Sequence, residues 1–216
     1  LAWERNGKID INNKRNYRTR SSVLIEINNT NILIDCSPDL RQQLYDAKCT
    51  KIDAVLFSHN HSDHTAGLPD MRAVSMINDK IIPAYIPSEM EKNLLSYYKW
   101  IFKGDKEYRP FMSLNLLENE FKINDIDITT FKHNHGSIDV QTFRIGNFAY
   151  STDIKKFYNN DIDKLKNEVL DHLNEEYEEN DLKDAFEHQL EKTFKRNILS
   201  FIIFCWIFFL FNYFKI

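Results

Sequence analysis

The chain has 216 residues, 28 Lys plus Arg against 32 Asp plus Glu, 43% hydrophobic residues, and only five Gly, five Pro and three Cys. This composition excludes collagen-like, linker-like and disulfide-scaffold classes, and the length allows one or two domains with a sizeable core. A net charge of −4 gives no global attraction to polyanions, so no stable nucleic-acid complex is implied and any anion must be drawn by a local site.

The first twenty residues are polar and basic and contain no apolar stretch of the kind that makes a secretory signal. Cys36, Cys49 and Cys205 are far apart, odd in number and free of C-x-x-C spacing. They suggest neither a disulfide framework nor a thiolate zinc site, and a reducing, cytoplasmic compartment is expected. Ser22 to Ile27 and Asn31 to Asp35 read as two strands of a hairpin joined through Asn28-Asn29-Thr30. Asp39 is placed to cap a helix over Leu40 to Tyr45, and Ile52 to Phe57 reads as a buried strand running into a loop. Helices are predicted over Met71 to Ile77 and Ser88 to Tyr98, with a strand at Pro83 to Ile86 between them. Phe121 to Ile123, Ile126 to Phe131, Val140 to Ile145 and Phe148 to Tyr150 are further strand candidates. The order of elements is that of a layered α/β or α+β domain.

From Leu165 the chain becomes charged and helical in pattern, with Leu165, Val169, Leu173 and Tyr177, then Leu182, Phe186, Leu190 and Phe194, recurring at every fourth position. An uncharged run begins at Ile198 and reaches Phe214. It is at the short edge of the roughly 17–25 residues that a membrane span needs. Lys192, Lys195 and Arg196 precede it, which would keep the preceding domain on the cytoplasmic side. The expected division is a mixed α and β domain over 1–166, a charged amphipathic helical segment over 167–196, and an apolar tail over 197–216 that is a candidate membrane anchor.

The chemistry is concentrated in His59-Asn60-His61-Ser62-Asp63-His64, directly after the strand at Ala54 to Phe57. In an extended segment His59 and His61 project to the same side and can share one metal ion, while Asp63 and His64, at a turn into a helix, can aim at a second. Zinc, manganese and iron all accept such donors. Two later segments supply what this loop lacks. His133-Asn134-His135-Gly136 follows one strand and Tyr150-Ser151-Thr152-Asp153 ends another. Either histidine could complete a three-imidazole site by spacing alone, and Asp153 could bridge both ions.

HNHSDH at His59 to His64, ILID at Ile32 to Asp35, the His135-Gly136 pair and AYSTD at Ala149 to Asp153 together resemble the metallo-β-lactamase superfamily. RTRSSVLIE, DCSPDLRQQL, KIDAVLFSHNHSDH and LPDMR are most similar to the branch of the phosphoribosyl cyclic phosphodiesterases and, more distantly, the tRNA 3′-processing endonucleases. The match runs from about Asn16 to Lys166. It implies a four-layered αββα sandwich with ligands on loops at one edge of the sheets, so that 1–166 is a hydrolase domain of this type. It also implies two divalent ions, Zn2+ first and Mn2+ or Fe2+ as alternatives. His59, His61 and His135 are then ligands of the first ion, Asp63 and His64 of the second, and Asp153 the bridging carboxylate. His135 is preferred to His133 because it precedes Gly, which leaves His133 as a surface residue. Asp35 is expected to hold a ligand imidazole in its tautomer.

The implied activity is hydrolysis by a metal-bound hydroxide, with a phosphodiester as substrate, either small and cyclic or at a nucleic-acid end. Asp63 and Asp153 are the catalytic carboxylates that tune the nucleophile, and no side-chain nucleophile is needed. Arg18, Arg20, Arg41 and Arg72 are candidates for substrate phosphate, although surface or ion-pair roles are the more ordinary reading of each. Cys36 reads as a buried small residue.

Two departures from the branch bear on these expectations. Its members begin with a strand and a Gly/Ser-rich loop before the region matched here, and continue after the bridging aspartate to a last histidine that completes the second site. Here only His172 and His188 lie downstream, both in the charged helical segment, so the second site is expected to be incompletely liganded and the domain shortened. Two alternatives follow: a degraded, non-catalytic domain of this fold tethered to a membrane through its tail, or a thioester or lactone hydrolase on the same fold. The oligomeric state has no signature in the sequence.

Overall fold

The computed structural model describes residues 19–146 and 148–158, together with the backbone of a short strand near the C-terminus. The first sheet starts with the hairpin of β1 (Val23–Ile27) and β2 (Thr30–Ile34). Its register pairs Ile27 with Thr30, so only Asn28 and Asn29 turn the chain, with φ of 48° and 63°. Two central residues at positive φ match the right-handed twist of the flanking strands, and Asn tolerates that region better than other non-glycine residues.

β3 (Ala54–Leu56), β4 (Ile82–Ile86) and β5 (Met112–Leu116) add in parallel beyond β2. The last strand, β10 (Tyr213–Lys215), pairs in parallel with β1 at the other edge, giving the order β10-β1-β2-β3-β4-β5. The second sheet is antiparallel in the order β6-β7-β8-β9, built from Glu120–Ile123, Ile126–Asn134, Asp139–Ile145 and Phe148–Tyr150.

Alternation along the strands divides the core. Leu33 and Val55 point to a layer formed with Leu40 and Leu44 of α1 (Leu40–Asp46), Met71 and Val74 of α3 (Met71–Asn78), and Leu94 and Ile101 of α4 (Glu91–Lys103). Ile32, Ile34, Ala54 and Leu56 point the other way, onto Ile126, Ile128, Phe143 and Ile145 of the second sheet. β3 is buried on both faces, as a parallel strand between two layers must be. The described residues therefore supply helices, sheet and sheet in succession, three of the four layers of the expected sandwich.

Most predicted elements lie within a residue or two of the observed ones. Asp39 does stand before α1, but its side chain caps nothing. Its carboxylate instead accepts the Arg20 backbone N–H at 2.8 Å and the Arg20 guanidinium at 2.7 Å, and this pairing holds its pKa below the usual carboxylate value. β5 was not anticipated, because Met-Ser-Leu-Asn-Leu carries little β-branched character and reads as a loop.

Among the described residues no helix is long and apolar enough to cross a membrane. The charged segment 167–196 and the apolar run Ile198 to Phe214 lie outside the described residues, except for Tyr213 and Phe214. These two are part of a strand. The open edge of β1 offers backbone donors and acceptors that a strand can satisfy, and Tyr and Phe favour that conformation.

Candidate metal centre

Each residue of the predicted constellation follows the C-terminal end of a strand. Asp35 follows β2, the histidine loop follows β3, His135 follows β7, and Asp153 lies just beyond β9. Local structure aims them inward. His61 is extended (φ −73°, ψ 149°) and precedes α2 (Ser62–Thr65), the short turn of helix that carries Asp63 and His64. That turn is tied down by backbone bonds: Cys36 N–H donates to the His64 carbonyl at 2.8 Å, and Gly67 N–H to the Cys36 carbonyl at 2.9 Å. Gly67 has to be glycine, because a Cβ there would overlap the Ser37 carbonyl oxygen and stand 2.9 Å from Leu40 Cβ. The second sheet is fastened to the same loop where Gln141 N–H donates to the Ser58 carbonyl at 3.0 Å.

The side chains form two donor groups that share one carboxylate. His59, His61, His135 and Asp153 each offer a ligand atom, and these atoms all lie within 4.8 Å of one another. Asp63, His64 and Asp153 form a second group under the same limit. Within the first, the rings of His59 and His61 are 4.5 Å apart and those of His61 and His135 5.3 Å. Asp153 Oδ2 stands 3.1 Å from His64 Nε2, 3.4 Å from His59 Nε2 and 3.9 Å from His135 Nε2.

Asp35 organises the imidazoles from below. It is fully buried and accepts three hydrogen bonds: from Ser58 N–H at 2.8 Å, Ser58 Oγ at 2.7 Å and His64 Nδ1 at 2.7 Å. Because the Ser58 hydroxyl donates to Asp35, its lone pair is left to accept His59 Nδ1–H at 3.0 Å. One carboxylate thus fixes two ring tautomers and turns Nε2 of both toward Asp153. Ser58 had no sequence signature beyond standing next to His59.

Electrostatics follow from this wiring. Burial, with the charge of His64 beside it, pushes His59 down to about 3, so its ring is neutral, as a metal ligand must be. Burial opposes a charge on His64 as well, but hydrogen bonds to Asp153 and Asp35 outweigh it and raise the ring to about 10. The hydrogen bond from His64 holds Asp153 down to about 2. The 3.1 Å contact between His64 Nε2 and Asp153 Oδ2 thus joins two members of the second donor group. His59 Nε2 is buried and has no hydrogen-bond partner among the described residues. An orphaned imidazole nitrogen facing a carboxylate fits a metal ion, and it is costly to maintain without one.

Residues 30–173 match the pattern of the beta-lactamase superfamily domain. The chain belongs to the metallo-β-lactamase superfamily. It is 31% identical over 146 residues to an octanoyltransferase of Porphyromonas gingivalis, covering 66% of this chain and 29% of that one. It is 27% identical over 122 residues to a ribonuclease Z of Methanopyrus kandleri, covering 55% and 41%. The chain thus spans less than half the length of either relative. Among solved structures, a diphosphatase of the PhnP family superposes with a TM-score of 0.65 at 26% identity, over 72% of this chain and 59% of that one. The short form of human tRNase Z superposes with a TM-score of 0.53 at 16% identity, over 69% and 68%; this likeness concerns the fold alone.

Within this superfamily fold, His59, His61, Asp63, His64, His135, Asp153 and Asp35 converge, whereas Arg20, Arg41 and Arg72 are engaged or exposed elsewhere. Arg20 is held by Asp39, and Arg72 lies over the Tyr108 ring at 5.2 Å. Arg41 is exposed on α1; Arg18, His172 and His188 lie outside the described residues. His133 is not the surface residue expected. It is fully buried, with Nδ1 2.9 Å from Thr142 Oγ1 and Nε2 2.8 Å from the Thr152 carbonyl. Strand alternation is the reason: β7 runs on to Asn134, so His133 falls on the buried side with Phe131, opposite the exposed Lys132. Cys36 is buried as expected, and burial, with the nearby charge of Asp35, raises its thiol well above the ordinary value.

Proposed function

We propose that the chain is a metal-dependent hydrolase that cleaves a phosphodiester between the two donor groups meeting at Asp153. The observation that carries this reading is the shared carboxylate, with the orphaned His59 Nε2 beside it. When bound, two divalent ions at such a spacing would supply a water of lowered pKa and positive charge for the anionic substrate. Zn2+ suits the imidazole-rich first group best.

The chain's own residues do the rest. Asp35 and Ser58 keep Nε2 of His59 and His64 available. His61 and Asp63 are exposed, which puts them on the side of the centre that substrate would approach. Hydrolysis adds water across one P–O bond, and Asp63 and Asp153 are the carboxylates able to take the water's proton. Lys155 contributes positive charge at the rim: its Nζ stands 3.9 Å from where a Gly136 side chain would begin, beside His135. Phosphorus is favoured over other electrophiles because two relatives above 25% identity are named a ribonuclease and a diphosphatase.

The test is turnover of bis-(p-nitrophenyl) phosphate by the Zn2+-loaded chain. Hydrolysis that a chelator abolishes and Zn2+ restores is expected. Metal-replete, folded protein without turnover of this ester or of a cyclic phosphodiester would overturn the substrate assignment.

A further inference from the structure

The buried histidine outside the ligand set has a job of its own. His133 Nε2 meets a carbonyl, which can only accept, so Nε2 carries a proton and donates it to Thr152 at 2.8 Å. On the other side of the ring, Nδ1 shares a hydrogen bond with the Thr142 hydroxyl at 2.9 Å, and Thr142 shares another with Ser151 Oγ at 2.6 Å. All of these side chains are nearly or fully buried. The result is a continuous chain of hydrogen bonds from β9's end, through β8, to β7, and back to the peptide between Thr152 and Asp153.

That peptide is special. Asp153 has φ of 55°, in the left-handed region that a non-glycine residue keeps only where its surroundings hold it there. The Thr152 carbonyl lies in the peptide plane from which that φ is turned, so anchoring the carbonyl fixes the plane from which the Asp153 Cα and its side chain depart. We propose that His133 is a positioning residue for the bridging carboxylate, holding Asp153 in its left-handed conformation through the Thr152 carbonyl. The inference rests on the reading of Asp153 as a shared metal ligand. It links ligands from different strands: β7 presents His135 directly and Asp153 indirectly, through His133. The neighbouring backbone bonds, Asn134 N–H to the Lys156 carbonyl at 2.8 Å and Lys155 N–H to the Asn134 carbonyl at 2.9 Å, hold residues beyond Asp153, whereas His133 holds the peptide that precedes it.

The experiment is a Co2+ titration followed by visible absorbance on wild type, Thr142→Val, Thr142→Ser and Ser151→Ala, with urea unfolding of each metal-free protein in parallel. Thr142→Val keeps the shape but removes the hydroxyl that orients His133. It is expected to weaken Co2+ binding by about tenfold or more, the usual scale for losing a group that orients a ligand. Thr142→Ser restores the hydroxyl and is expected to restore the affinity. Ser151→Ala cuts only the far end and is expected to weaken binding less than Thr142→Val. Equal affinity in wild type and Thr142→Val, equal loss with Ser and Val at position 142, or an effect confined to the unfolding midpoint would each overturn the proposal. A wild type that binds no Co2+ overturns the metal centre itself, and this inference with it, an outcome distinct from the first three.

Discussion

Asp35 and His64 lie 29 positions apart and share a 2.7 Å hydrogen bond between a fully buried carboxylate and Nδ1 of a buried ring. That bond decides which nitrogen of His64 faces the centre. Asp35→Asn replaces one acceptor oxygen with a donor and leaves Ser58 and His64 competing for the other. Affinity for Zn2+ at the second donor group should fall by about 10- to 100-fold, as measured by competition with a chromophoric chelator. An unchanged affinity would remove Asp35 from the centre's support.

The metal-free chain should be most stable near pH 6.5. His64 is raised from 6.5 to about 10, so its contribution is complete below 6.5 and is lost as pH climbs toward 10. His59 is lowered from 6.5 to about 3, so its contribution is complete above 6.5 and is lost as pH falls toward 3. Asp153, lowered from 3.8 to about 2, adds a further loss only in that acid range. Urea midpoints in the presence of chelator should peak near pH 6.5 and decline on both sides. A curve rising steadily to pH 9 would contradict the wiring of His64 between two carboxylates.

Gly67→Ala places a methyl group against the Ser37 carbonyl and Leu40 Cβ. Neither can move cheaply, since one is backbone and the other opens α1. Overpacking of this kind typically costs about 1–3 kcal/mol. The change also pushes on the turn bonded to His64, so loss of stability should be accompanied by weaker metal binding. Denaturant unfolding that matches wild type would show that the close approach is not needed.

Lys155 tests the sign of the substrate. Lys155→Ala should raise KM for bis-(p-nitrophenyl) phosphate by roughly two- to fivefold, the scale of one exposed charge pair, and leave kcat nearly unchanged. The effect should shrink in high salt and vanish with a neutral ester. Equal losses on charged and neutral substrates would mean that Lys155 shapes the loop instead.

The candidate donor cluster is legible because it is local: His59, His61, Asp63 and His64 sit in six consecutive residues after a buried strand, so their side chains meet in space whatever the rest of the fold does. The hairpin was legible for a similar reason, since Asn28 and Asn29 are turn residues between two β-branched runs. What escaped was set by tertiary contact. Ser58, Thr142 and Ser151 are ordinary residues whose roles exist only once β3, β7, β8 and β9 lie side by side. His133 was misjudged because its burial depends on a strand extending past the apparent end of its apolar run. β5 escaped because Ile82 to Ile86 recruits Met112 to Leu116 through backbone pairing despite weak local preference.

The central claim is that one carboxylate serves two metal sites. Its most direct measurement is the number of Zn2+ ions retained by wild type and by Asp153→Ala at saturation, counted by elemental mass spectrometry beside quantitative amino-acid analysis. Two ions per chain in wild type and no more than one in the variant, held by the remaining imidazoles of His59, His61 and His135, are predicted. A wild type that retains none, or a variant that still retains two, would contradict the account.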